Sequence, residues 1–105
     1  MISVSDIESE FQSKGTMRGG VLLLPPSVAM EFVSKCREAG IKILGLDGFY
    51  ISRGITQPLM EQSIDFSGEQ NDDCWGKAEA FISKRASSNV FFEVVADEYG
   101  KRVES

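Results

Sequence analysis

Val21–Ile51, VLLLPPSVAMEFVSKCREAGIKILGLDGFYI, reads as strand, helix, strand. Val21–Leu24 is a four-residue apolar run of the kind buried on both faces of a sheet. Pro25 and Pro26 stop it, because proline has no N–H to give a ladder. Pro26 or Ser27 then opens a helix, since proline suits the first turn and a serine hydroxyl can cap free N–H groups. Val28, Phe32 and Cys36 recur at i, i+4 and i+8 with Ala29 and Val33 beside them, which makes one face apolar. Gly40 offers the left-handed C-terminal cap. Ile41, Ile43, Leu44 and Leu46 form a second strand, with continuation past Gly48 through Phe49–Ile51 left open. Two strands joined by a crossover helix are expected to be parallel and right-handed.

Outward from this unit, Ser5-Asp6-Ile7-Glu8 fits a capping box for a short first helix. Ile7 and Phe11 give that helix a narrow apolar contact, and Lys14 and Gly15 close it. Arg18-Gly19-Gly20 reads as a loop into the first strand. Ser52–Pro58 (SRGITQP) reads as a connection rich in turn formers. Leu59–Phe66 is ambiguous between strand and loop, although Ile64 and Phe66 alternate around Asp65. Ser67–Asp73 is polar. Asp72 or Asp73 caps a third helix carrying Trp75, Ala78, Phe81 or Ile82, and Arg85 at helical spacing. Ala86–Asn89 is a short loop. Val90–Ala96 (VFFEVVA) is the strongest strand, with one interior charge, and the charged tail beyond Asp97 is expected to fray.

The expected fold is therefore α+β. It has a ferredoxin-like split βαβ order, a four-stranded mostly antiparallel sheet and an extra N-terminal helix. Phe91, Glu93 and Val95 alternate with Phe92 and Val94, so both faces of the last strand carry apolar groups. The second face needs a cover: the N-terminal helix through Ile7 and Phe11, which is the first expectation, a second copy, or a partner.

A chain of 105 residues is one domain. The apolar fraction of 42%, with one Trp, two Tyr and seven Phe, supports an ordinary globular core. No run suits a membrane helix, and the acidic start MISVSDIESEF has no signal-peptide character, so the expected location is the cytoplasm. Cys36 and Cys74 lie too far apart in sequence for a redox or zinc motif; two unpaired thiols are expected.

Sixteen acidic against eleven basic residues give a net charge of −5, which argues against direct nucleic-acid binding. The chain has no histidine, which removes histidine-based triads and histidine metal ligands. Asp47 and Asp65, each beside an expected strand, are the best carboxylate pair for acid–base work, and Cys74 would be a nucleophile without a base. DFSGEQNDD does not match a calcium loop, and Gly45-Leu46-Asp47-Gly48 matches no phosphate-binding loop. No cofactor or metal is implied.

What remains is a recognition surface. No Lys or Arg lies between Gly54 and Gly76, where Glu61, Asp65, Glu69, Asp72 and Asp73 all fall. Tyr50, Arg53 and Trp75 are expected nearby and are residue types enriched at interface hot spots. Clustered carboxylates would steer a basic partner. The plainer alternative makes Trp75 a core residue and the acids a solvated face.

The stretch ILGLDGF (Ile43–Phe49), Gln57-Pro58, Ile64-Asp65-Phe66-Ser67, Trp75 at a helix start and the closing FFEVV resemble small bacterial immunity proteins. These are cytoplasmic α+β proteins encoded beside polymorphic or contact-dependent toxins. The resemblance spans about Ile41–Ala96. It implies a non-enzymatic inhibitor that binds a toxin, often a basic nuclease, and it carries over no specific functional residue. The runner-up is a small-molecule-binding or regulatory ferredoxin-like module with Gly45–Gly48 and Arg53 lining a pocket; a homodimer is possible, and a stable one favours this runner-up.

Overall fold

The computed structural model describes residues 3–65, 73–86 and 89–97, the side chains at 60–62 excepted. Helix α1 spans Val4–Phe11, a 3-10 turn Gln12–Lys14, strands β1 Thr16–Arg18 and β2 Val21–Leu23, helix α2 Pro26–Ala39, strands β3 Ile43–Ser52 and β4 Ile55–Asp65, helix α3 Cys74–Arg85 and strand β5 Val90–Ala96. The fold is α+β, and its described strand ladders are antiparallel.

The helices begin and end where side chains satisfy the free backbone groups. At α1 the capping box is Ser3 with Asp6, two residues earlier than Ser5 with Glu8: Ser3 N–H donates to Asp6 Oδ2 at 3.0 Å and Asp6 N–H to Ser3 Oγ at 3.2 Å. The earlier start brings Val4 into the core beside Ile7 and Phe11. Helix α2 starts at Pro26 and ends on Gly40, whose φ of 73° is the left-handed cap. Asp73 caps α3 by accepting from Gly76 N–H at 2.9 Å.

The strands differ most from expectation. Gly19 and Gly20 both have positive φ, 57° and 81°, so they form a two-residue turn that folds β1 back on β2. Val21–Leu23 therefore pairs with Thr16–Arg18, and the expected parallel pairing with 41–51 is not formed. Only Leu24 continues outward, as an antiparallel bridge to Phe92 of β5. Among the described residues the main sheet has three strands in the order β4-β3-β5, and its ladders do not give the ferredoxin-like order.

Ser52–Pro58 is likewise no open loop. Arg53 (φ 55°) and Gly54 (φ 79°) make a second two-residue hairpin, and β4 begins at Ile55. Pro58 is tolerated because β4 is the edge strand, where a missing N–H removes no ladder bond. The β3–β4 register shifts between Asp47↔Ser63 and Gly48↔Leu59, so 60–62 have no partner on β3. Leu59–Asp65 is strand.

Helices α2 and α3 pack on one face of this sheet, with Phe32, Val33, Cys36, Ala78 and Ile82 against Leu46, Val90, Phe92 and Val94. Phe81 meets Phe92 edge-on at 6.4 Å between ring centroids. Helix α1 does not cover the other face. Ile7 and Phe11 join the same core, and Phe11 stands edge-on to Phe32 of α2 at 5.3 Å. A narrow amphipathic helix buries its stripe where apolar area is already continuous, and α2 offers that.

Candidate functional site

The residues marked by the sequence do not form one patch. Tyr50 and Arg53 lie at the β3–β4 hairpin tip. Trp75 lies at the opposite end of β3, where its Nε1–H donates to the Ile41 carbonyl at 2.8 Å. Ile43 to Tyr50 is roughly 23 Å of strand, so the expected neighbourhood of Tyr50, Arg53 and Trp75 is split in two. Glu69 and Asp72 lie outside the described residues, as does the side chain of Glu61, whose backbone belongs to β4. Asp65 ends β4 opposite Gly45.

Around Trp75 the structure builds a mixed-charge cluster. The ring is half-buried against the core, with the cations of Arg37 and Lys42 at 5.8 and 5.6 Å from its centroid. Arg37 also pairs with Asp73 at 3.1 Å and Glu79 at 3.9 Å. Asp73 is thus a helix cap and an ion-pair partner as well as a member of the acidic run. These exposed pairs fix the ends of α2 and α3 more than they add stability.

Neither cysteine resembles a nucleophile. Both are buried, and Ile43 N–H donates to Cys74 Sγ at 3.3 Å. Burial, with smaller effects from Cys74 and Glu8, pushes the Cys36 thiol up to about 12. Among the described residues no group of three or more potential ligands is placed to hold a metal ion. Gly45 is enclosed in the ladder, where an added Cβ would stand 2.7 Å from the Ile64 carbonyl oxygen. Arg53 is at the far end of β3, so the two do not share a pocket. A small cavity of about 100 Å³ lies beside β5, where Glu93 and Val94 face Glu8 and Gln12 from the N-terminal helical segment and Met17 and Leu22 from the β1–β2 hairpin.

The surface that stands out is the sheet face away from α2 and α3. Register puts Pro58, Phe49 and Phe91 in one row across β4, β3 and β5, Ser63, Asp47 and Glu93 in the next, and Asp65, Gly45 and Val95 in the third. Asp47 and Glu93 are direct cross-strand partners, with Cβ atoms about 5 Å apart. Burial, then Asp47, then Glu8 raise the Glu93 carboxyl above its ordinary 4.5. The carboxylate directly across from Asp47 is thus Glu93, whereas Asp65 stands one row away, opposite Gly45. Glu93 is legible in the sequence as the interior charge of β5, but its link to Asp47 depends on the register.

The three strands of the sheet contain Asp47, Glu61, Asp65 and Glu93 and no Lys or Arg. On the helical layer, Lys14 pairs with Glu31 and Lys35 with Glu10. No described helix is long and apolar enough to cross a membrane. Comparison with known protein families and with curated proteins finds no match to this chain.

Proposed function

We propose that this protein is a non-enzymatic acidic inhibitor that binds and neutralises a basic bacterial toxin domain, in the manner of the immunity proteins it resembles. The observation that supports the reading most is the cation-free sheet: four carboxylates on β3, β4 and β5 with no Lys or Arg among them. A surface of one sign attracts and orients a partner of the other, raising the association rate more than the affinity. An inhibitor of this kind acts in the cytoplasm, needs no cofactor and covers the toxin's active-site region.

The test has two stages. Tagged protein captures partners from lysate of the source organism at low and high salt, and each captured protein is then expressed with and without this chain. A basic protein that arrests growth alone and not in co-expression is the expected result. Capture of no such protein, or growth arrest that co-expression leaves unchanged, contradicts the reading.

A further inference from the structure

On the sheet face away from the helices, the apolar row formed by Phe49 and Phe91 adjoins the row formed by Asp47 and Glu93. Two like charges directly opposite each other on neighbouring strands oppose pairing. The partial burial of Glu93 adds a desolvation cost, so the arrangement disfavours the folded state of the free chain. A cation between the two carboxylates would cancel their repulsion and offset the desolvation of Glu93 by pairing with it.

We propose that this face is the docking surface for a basic protein, with one arginine or lysine of the partner seated between Asp47 and Glu93. Apolar side chains next to that cation rest on Phe49 and Phe91. This deepens the inhibitor reading and rests on it, and it moves the interface from the acid-rich 61–73 segment to the face of β3 and β5. Charge complementarity selects the occupant. A second copy joined by a two-fold axis would bring another Asp47–Glu93 pair to the same face, each chain carrying −5. Arginine is favoured over lysine because its planar guanidinium reaches two carboxylates and also stacks on an aromatic ring.

The test uses the full chain, isotope-labelled, with a five-residue peptide alternating phenylalanine and arginine, and a counterpart with citrulline for arginine. The expected result is that chemical-shift changes from the arginine peptide centre on Asp47, Phe49, Phe91 and Glu93. Citrulline, or the Asp47→Asn/Glu93→Gln double variant, weakens binding about ten-fold or more, while Glu10→Gln and Glu38→Gln on the helical layer leave it unchanged. An unperturbed spectrum of the double variant away from the two sites shows that it is folded. Shifts centred on the Trp75 cluster or on α1 and α2, or equal binding of the citrulline peptide, overturn the placement. A toxin that binds the double variant as tightly as wild type also overturns it, and leaves the inhibitor reading standing. Peptide docking on this face without any toxin partner supports the placement and overturns the inhibitor reading instead.

Discussion

Asp47 of β3 and Glu93 of β5 sit side by side as register partners on the face of the sheet that α2 and α3 leave uncovered. Their separation in the chain is large, and only the antiparallel ladder brings them together.

Removing one charge of this pair is expected to stabilise the protein. Glu93→Gln keeps the side-chain volume and ends both the like-charge contact and the partial burial of a carboxylate. The gain at pH 7 is expected on the order of 0.5–1 kcal/mol, read as a higher urea midpoint. The sign follows from the raised folded-state pKa: between the unfolded value near 4.5 and the folded value above it, the native state holds more protons. The destabilisation by Glu93 is therefore full above the folded value and absent below 4.5. The advantage of the variant shrinks as pH falls through that window.

Asp6 works in the opposite direction. The Ser3 backbone N–H, followed by the Ser3 hydroxyl, holds its carboxyl below the ordinary 3.8. Its contribution is present above 3.8 and lost as pH falls through the lower folded value. Asp6→Asn removes that contribution, so it is expected to lower α1 stability at pH 7, opposite in sign to Glu93→Gln, and to leave less stability to be lost in acid, as circular dichroism across an acid titration would show.

Gly45→Ala tests the close approach of β3 and β4. A Cβ there meets the Ile64 backbone carbonyl, which cannot rotate away as a side chain would. A loss of about 1–3 kcal/mol in denaturant unfolding is expected. Gly19→Ala in the β1–β2 turn meets no atom and is opposed only by its positive φ, so it is expected to cost about 1 kcal/mol.

Asp73 separates capping from charge. Asp73→Asn retains an oxygen for Gly76 N–H and is expected to lose little stability, whereas Asp73→Ala removes the cap and is expected to cost about 1 kcal/mol. Thermal unfolding of the two variants distinguishes the cap from the exposed Arg37 pair.

The Cys36 thiol, pushed up to about 12 and enclosed by the core, is expected to resist iodoacetamide at pH 8 in the folded protein. Mass spectrometry before and after denaturant is expected to show labelling only with unfolding; rapid labelling of the native chain would contradict the burial.

Local signals in the sequence reach the helices and stop at the pairings. Pro26 and Gly40 bracket α2, and Asp73 opens α3, because caps depend on residues within one turn. The start of α1 is two-fold degenerate in sequence, since Ser3 and Ser5 each precede an acid by three positions; burial of Val4 selects Ser3. Two hairpins hide in Gly19-Gly20 and Arg53-Gly54, which read as loop composition until the positive φ values show tight turns. Because β1 folds onto β2 across Gly19-Gly20, Val21–Leu23 pairs with Thr16–Arg18, and among the described residues the sheet of β3 has three strands where four are expected. The site is less legible than the fold. Trp75 and Asp73 are visible as residue types, but their partners Arg37 and Ile41 come from α2 and its exit. Glu93 gains meaning only from the β3–β5 register, a non-local quantity that periodicity cannot supply.

The proposed accessibility and the acidic character of the β3–β5 face, which no described helix covers, are measured most directly by side-chain NMR relaxation with small nitroxide probes of opposite charge. On the full chain, a cationic nitroxide is expected to broaden the Phe49, Phe91, Asp47 and Glu93 side-chain signals strongly, and an anionic one to broaden them weakly. Equal broadening by the two probes, or protection from both, would contradict an open acidic docking face.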